Sequence, residues 1–105
     1  MANPYTGEVS LVLNGERRIM KLTLGAIVEL ELALQADSLV ALVERFESGS
    51  YSARDVIALL AAGLSGGGWA GDANDVARAE IEGGPLEGAR AAAELLARSF
   101  AVPAP

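Results

Sequence analysis

The sequence predicts an α+β fold, an N-terminal β-hairpin followed by a bundle of four to five short α-helices. Three observations carry that expectation. Asn14-Gly15 stands between two alternating apolar and polar segments, and this dipeptide suits a two-residue type I′ turn because both positions accept positive φ. Hydrophobic residues make up 51% of the 105-residue chain, and they are mostly alanine and leucine, both good helix formers. Downstream of residue 22, capping residues and glycines recur at intervals that mark helix starts and stops. The length fits one domain able to close a modest core. The organisation read from the chain is a lead-in over 1–6, a single domain over 7–100 and a tail over 101–105.

In the hairpin, pairing across Asn14-Gly15 puts Val9, Leu11, Leu13, Met20 and Leu22 on one face, with Glu16 and Arg18 near the turn. Glu8, Ser10, Arg17 and Lys21 fall on the other face, and Glu8 is the expected cross-strand neighbour of Lys21. Val12 and Ile19 interrupt that wet face. They read either as a cross-strand apolar pair or as a patch for a partner. Thr23 suits the N-cap of a first helix that buries Leu24, Ile27, Val28, Leu32 and Leu34 and leaves Glu29 and Glu31 in water.

Ala36-Asp37 breaks the pattern, and Asp37 or Ser38 caps a second helix with Leu39, Leu42, Val43 and Phe46 inside and Gly49 at its end. Ser52 and Asp55 form a capping box with a shortened acid for a third helix. Its Val56, Ile57, Leu59, Leu60 and Leu64 make it central to the core. GLSGGGWAG, over 63–71, reads as a flexible loop within one body. Asp72 or Asn74 caps a short helix through Val76, Ala77 and Ile81, which Gly83-Gly84 ends. Pro85 opens a last helix with Leu86, Ala89, Ala93, Leu96 and Phe100 as its inward stripe and Arg90, Glu94 and Arg98 in water.

Chemistry is sparse. With no histidine and no cysteine, the chain lacks the usual general bases, thiol nucleophiles and zinc ligands, so neither an enzyme nor a cofactor is expected. Asp72 with Asp75 and Glu80 with Glu82 are paired acids, read first as helix-end and solvated residues and second as a hard-cation site. Ser65-Gly66-Gly67-Gly68 lacks the Lys-Ser/Thr ending of a phosphate loop and reads as a connector. Trp69 either folds back on the core or stands out as an aromatic anchor. The outer side of the last helix, represented by Leu95, completes the candidate partner-binding set of Val12, Ile19, Trp69 and Leu95.

A net charge of −6 disfavours a nucleic-acid partner, which needs clustered Lys and Arg. The small cluster of Arg17, Arg18 and Lys21 reads as a charged strand that resists edge pairing. No apolar stretch nears the ~20 residues that span a bilayer, and the first residues lack signal-peptide character, so neither a membrane partner nor secretion is expected.

GEVSLVLNGERRIMKLTLGAIVELE, the run SLVALVERFESGSYSARDVIALLAAGL, the glycine-rich joint and the leucine-containing last helix together resemble the small tail assembly chaperones of gene transfer agents and related prophages, a family also labelled as tail tube proteins. The resemblance covers about residues 7–100. It implies a multi-copy, non-enzymatic protein of the bacterial cytoplasm that binds the tape-measure protein, and tail tube protein with it, during tail assembly. The alternative it leaves is a structural tail component, a tube or connector subunit.

Overall fold

The computed structural model describes residues 7–34 and 39–99. The expected lead-in, the caps at Asp37 or Ser38, Phe100 and the tail lie outside the described residues. The hairpin comprises β1 (Val9–Leu13) and β2 (Glu16–Met20), antiparallel in the predicted register, from Val9 opposite Met20 to Leu13 opposite Glu16. Asn14 and Gly15 take φ of 52° and 80°, the type I′ pattern. Five helices follow among the described residues: α1 (Leu24–Ala33), α2 (Leu39–Ser48), α3 (Ala53–Gly66), α4 (Ala73–Arg78) and α5 (Gly84–Ser99).

The predicted starts of α1, α3 and α4 have their caps, while α5 begins at Gly84, one residue before the expected Pro85. Thr23 Oγ1 accepts the Ala26 N–H at 3.0 Å, and Ser52 and Asp55 exchange hydrogen bonds as a capping box, as do Asp72 and Asp75. Gly49, at φ 76°, ends α2, with the Ser50 N–H reaching back to the Arg45 carbonyl at 2.9 Å. α2 is tied to α3 by a bidentate pair. Arg45 Nε and Nη2 each donate to the Asp55 carboxylate at 2.9 Å, and the Phe46 and Tyr51 rings stack with centroids 4.6 Å apart. Burial pushes the Asp55 carboxyl up, but the Arg45 guanidinium and the Ser52 N–H and hydroxyl outweigh it and hold the group below its ordinary value.

The core gathers around Met20, Leu30, Leu42, Leu59, Leu60, Leu64 and Leu95. α3 is central, as expected, but it runs into the glycine-rich stretch as far as Gly66. Its end lies flat against the outer edge of β2. The Lys21 N–H donates to the Gly63 carbonyl at 2.9 Å, and a methyl on Gly66 or Gly67 would stand 1.9 Å from the carbonyl oxygen of Lys21 or Ile19. Glycine is needed there for close approach, and only from Gly67 on does the chain leave the helix.

Two other elements differ from expectation. α4 stops at Arg78, and Ile81 forms an antiparallel bridge with Leu13, with Asn14 N–H to Glu80 C=O at 2.8 Å and Glu82 N–H to Val12 C=O at 3.1 Å. An edge strand left open at β1 was a stronger demand than one more helical turn. α5 is rotated from its predicted stripe: Gly88, Ala91, Ala92, Leu95 and Leu96 face inward, while Leu86 and Ala93 are exposed. Arg90, Glu94 and Arg98 do form a chain of ion pairs along the helix, and Arg98 also caps the start of β1 by donating to the Glu8 carbonyl at 2.6 Å.

Candidate functional site

The polar groups singled out by sequence are spent on structure. Asp72 and Asp75 cap each other's backbone, and the backbone bond from Asp75 holds the Asp72 carboxyl below its ordinary value. Glu80 and Glu82 use their main chains to bind β1. In the glycine stretch, the Gly67, Gly68 and Trp69 N–H groups all donate to carbonyls of α3, and the carbonyl oxygens of Ile19 and Lys21 crowd the same spot. An anion would meet acceptors there, so the stretch is a connector and not a cradle. Among the described residues, no group of three or more acidic side chains is placed to hold a metal ion, and no helix is long and apolar enough to cross a membrane.

Of the four residues proposed to bind a partner, Val12 and Ile19 are half-buried on the outer face of the hairpin. Val12 lies opposite Arg17 and Ile19 opposite Ser10, so the two meet on the diagonal. Val12 also lines a shallow depression of about 690 Å³ with Ile57, Val76, Ile81 and Pro85, rimmed by Glu80 and Glu82. Trp69 folds back on the core and covers Gly71, where a methyl would stand 2.3 Å from the indole. Leu95 is the correction among them. It is 0% exposed and points into the core, and a methyl on Gly63 would lie 2.5 Å from its side chain. The outward side of α5 at this level is Ala93 and Ala97.

On α1, where the sequence also suggests an exposed apolar edge for a partner, the residues that form it differ from expectation. Leu24, Val28 and Leu32, assigned to the buried side, are 83%, 54% and 73% exposed, whereas Ala26 and Leu30 face the core. These three positions are spaced four apart and form one ridge on the helix. Glu29 and Glu31 flank the ridge and are exposed. A ridge of large apolar side chains on a body of this size is the mark of a contact surface. The signal was present in the sequence: Leu24, Ala26, Ile27, Val28, Leu30, Leu32 and Ala33 are more apolar residues than one helix face can hold.

Basic side chains are concentrated elsewhere. Arg17 and Lys21 share the outer face of the hairpin with Val12 and Ile19, and neither is in an ion pair among the described residues. A second groove, about 290 Å³, lies between α2 and α5 and is lined by Val43, Phe46, Glu47, Ala93, Leu96 and Ala97. All three surfaces are apolar at the centre with charge at the rim, the composition of protein contacts.

A family model described as "Phage tail tube protein, GTA-gp10" matches residues 6–102. No curated protein and no solved structure matches the chain.

Proposed function

The chain belongs to the phage tail tube protein family, and from that premise we propose that it is a structural, multi-copy component of the tail of a phage or gene transfer agent. The exposed ridge of Leu24, Val28 and Leu32 is the observation that carries this reading. A subunit that spends its life among copies of itself has reason to keep such a surface, because the surface is covered in the assembled tail. The function is then mechanical. Apolar area provides the adhesion, and the charged rims select register and partner.

A second reading is favoured by a specific observation: among the described residues the sheet has two strands and a single further bridge, little for a subunit that must build a tube wall. In that reading the chain is an assembly chaperone that covers apolar helices of the tape-measure protein and departs before the particle matures. Quantitative mass spectrometry of purified particles separates the two. A structural subunit is present at stoichiometric, multi-copy levels. Its absence from particles, together with co-purification of a soluble complex when it is co-expressed with the tape-measure protein, would transfer the assignment to the chaperone.

A further inference from the structure

We propose that the α1 ridge and the groove beside it are the seat of an apolar helix of a different protein, one that carries Lys or Arg next to its apolar stripe. The proposal rests on the reading of the chain as one part of a larger tail assembly and names what covers the ridge there. Leu24, Val28 and Leu32 span ~12 Å of exposed helix. Alongside them lies a groove of about 410 Å³ between α1 and α3, floored by Ala58 and Ala61 and walled by Ala33 and Trp69. Glu29 stands between ridge and groove, Glu31 borders the ridge on its other side, and Asp72 lines the groove as well. A ridge of residues four apart next to a groove between two helices is the relief on which a third helix packs, with its apolar side chains laid into the groove.

The acids set the sign of the partner, and this chain does not supply it. α1 has no basic residue, and Arg54, at its C-terminal end, is engaged by donating to the Ala33 carbonyl at 3.0 Å. All eight Lys and Arg of the chain lie within the described residues. Arg17 and Lys21 are on the hairpin face, where Val12 shares its depression with Glu80 and Glu82, so the ridge would meet acids there. Arg18 pairs with Glu16, and Arg45 with Asp55. Arg78 is on α4, whose valine is buried. On α5 the exposed Leu86 stands one turn from Arg90, but Arg90 is held between Glu87 and Glu94, and Arg98 also pairs with Glu94. Two copies of α1 face to face set acid against acid. No described helix of this chain therefore presents an apolar stripe with an uncommitted base beside it, and the occupant is a second kind of polypeptide. A contact on one short helix covers less than the ~800 Å² per partner of a standard interface, so its affinity is modest.

The probe is a synthetic amphipathic helix of Leu and Lys, about 20 residues long, compared with the same peptide carrying Glu in place of Lys. Added to the full chain, the Lys peptide should shift the emission of Trp69, the single tryptophan, and calorimetry should show binding that weakens as salt is raised. The Glu peptide should not bind. Leu24→Ser with Leu32→Ser should weaken binding about tenfold or more, and Glu29→Lys with Glu31→Lys should do the same. Glu80→Lys with Glu82→Lys makes an equal change of charge away from the ridge and should alter binding by less than about twofold. Circular dichroism of each variant confirms that the fold is kept. The proposal is overturned if the Lys peptide fails to bind at about millimolar concentration, if the Glu peptide binds as well, or if the two charge reversals weaken binding equally, the mark of unselective attraction to an acidic protein. Sedimentation velocity adds one more outcome against it: a wild-type chain that self-associates, and ceases to in the Leu24→Ser, Leu32→Ser variant, gives the ridge to a second copy. Particles that contain the protein despite any of these results leave the tail assignment standing and remove only this surface.

Discussion

A single substitution, glycine to alanine, should change sign along this chain according to what faces the added methyl. In a helix the exchange favours folding by up to ~1 kcal/mol, because glycine loses more backbone freedom. At Gly25 the nearest atom to the new methyl is Thr23 Oγ1 at 3.9 Å, so the gain survives and Gly25→Ala should stabilise by about 0.5 kcal/mol. At Gly66 the methyl would stand 1.9 Å from the Lys21 carbonyl oxygen and 3.0 Å from its carbon, both backbone atoms that cannot swing aside. Ordinary contact requires α3 and β2 to part by more than ~1 Å, which breaks the 2.9 Å bond from Lys21 N–H to Gly63 C=O and exposes the strand edge. Losing that bond and orphaning its groups costs about 3–4 kcal/mol, so after the helix gain Gly66→Ala should destabilise by about 2–3 kcal/mol. Gly63 falls between, since the obstacle is the end of the Leu95 side chain at 2.5 Å with Met20 Cβ at 3.1 Å, and a loss of about 1 kcal/mol is expected. Urea unfolding followed by circular dichroism gives all three values, with midpoints in temperature moving roughly 4 °C per kcal/mol. A neutral or stabilising Gly66→Ala would refute the close packing of α3 on β2.

Two further outcomes are expected. Asp55→Ala removes both the Arg45 clasp and half of a capping box at a carboxylate only 7% exposed, and should cost about 2–3 kcal/mol. A double-mutant cycle with Arg45→Met should return coupling of about 1–2 kcal/mol, and additive costs would deny the clasp. Because the Asp55 carboxyl is held below its ordinary value, its contribution is present above pH ~4 and is lost as pH falls further, so wild type and Asp55→Asn should converge in stability in acid. Trp69→Ala should lower stability by about 2 kcal/mol and leave self-association unchanged; intact stability with lost association would restore its reading as a partner anchor.

The hairpin, its register and the helix caps were legible because each depends on neighbours in sequence: Asn14-Gly15 dictates the turn, Thr23, Ser52 and Asp72 the starts, Gly49 a stop. What failed was the choice of face on helices with apolar residues on more than one side. On α1, Leu24, Val28 and Leu32 and the pair Ala26 and Leu30 all follow helical spacing. The body chose Ala26 and Leu30, and the Ala26 methyl sits where a methyl on Gly66 would come within 3.5 Å of it. Local periodicity carries no information about that neighbour. On α5 the same ambiguity among alanines turned Leu95 inward, and at Ile81 an open strand edge far upstream decided the outcome, as the bond from Glu80 N–H to Asn14 Oδ1 at 2.9 Å records. The ridge was therefore hidden by its own resemblance to a core stripe.

The hairpin borrows nothing from outside at the places where it is covered: α3 shields β2, while residues 80–82 and Arg98 shield β1. Both edges of the hairpin are thus closed by residues of the same chain, and neither needs a strand from a sibling copy. In the tail role proposed above, such pieces would join as finished bricks, through their faces and not by exchanging strands.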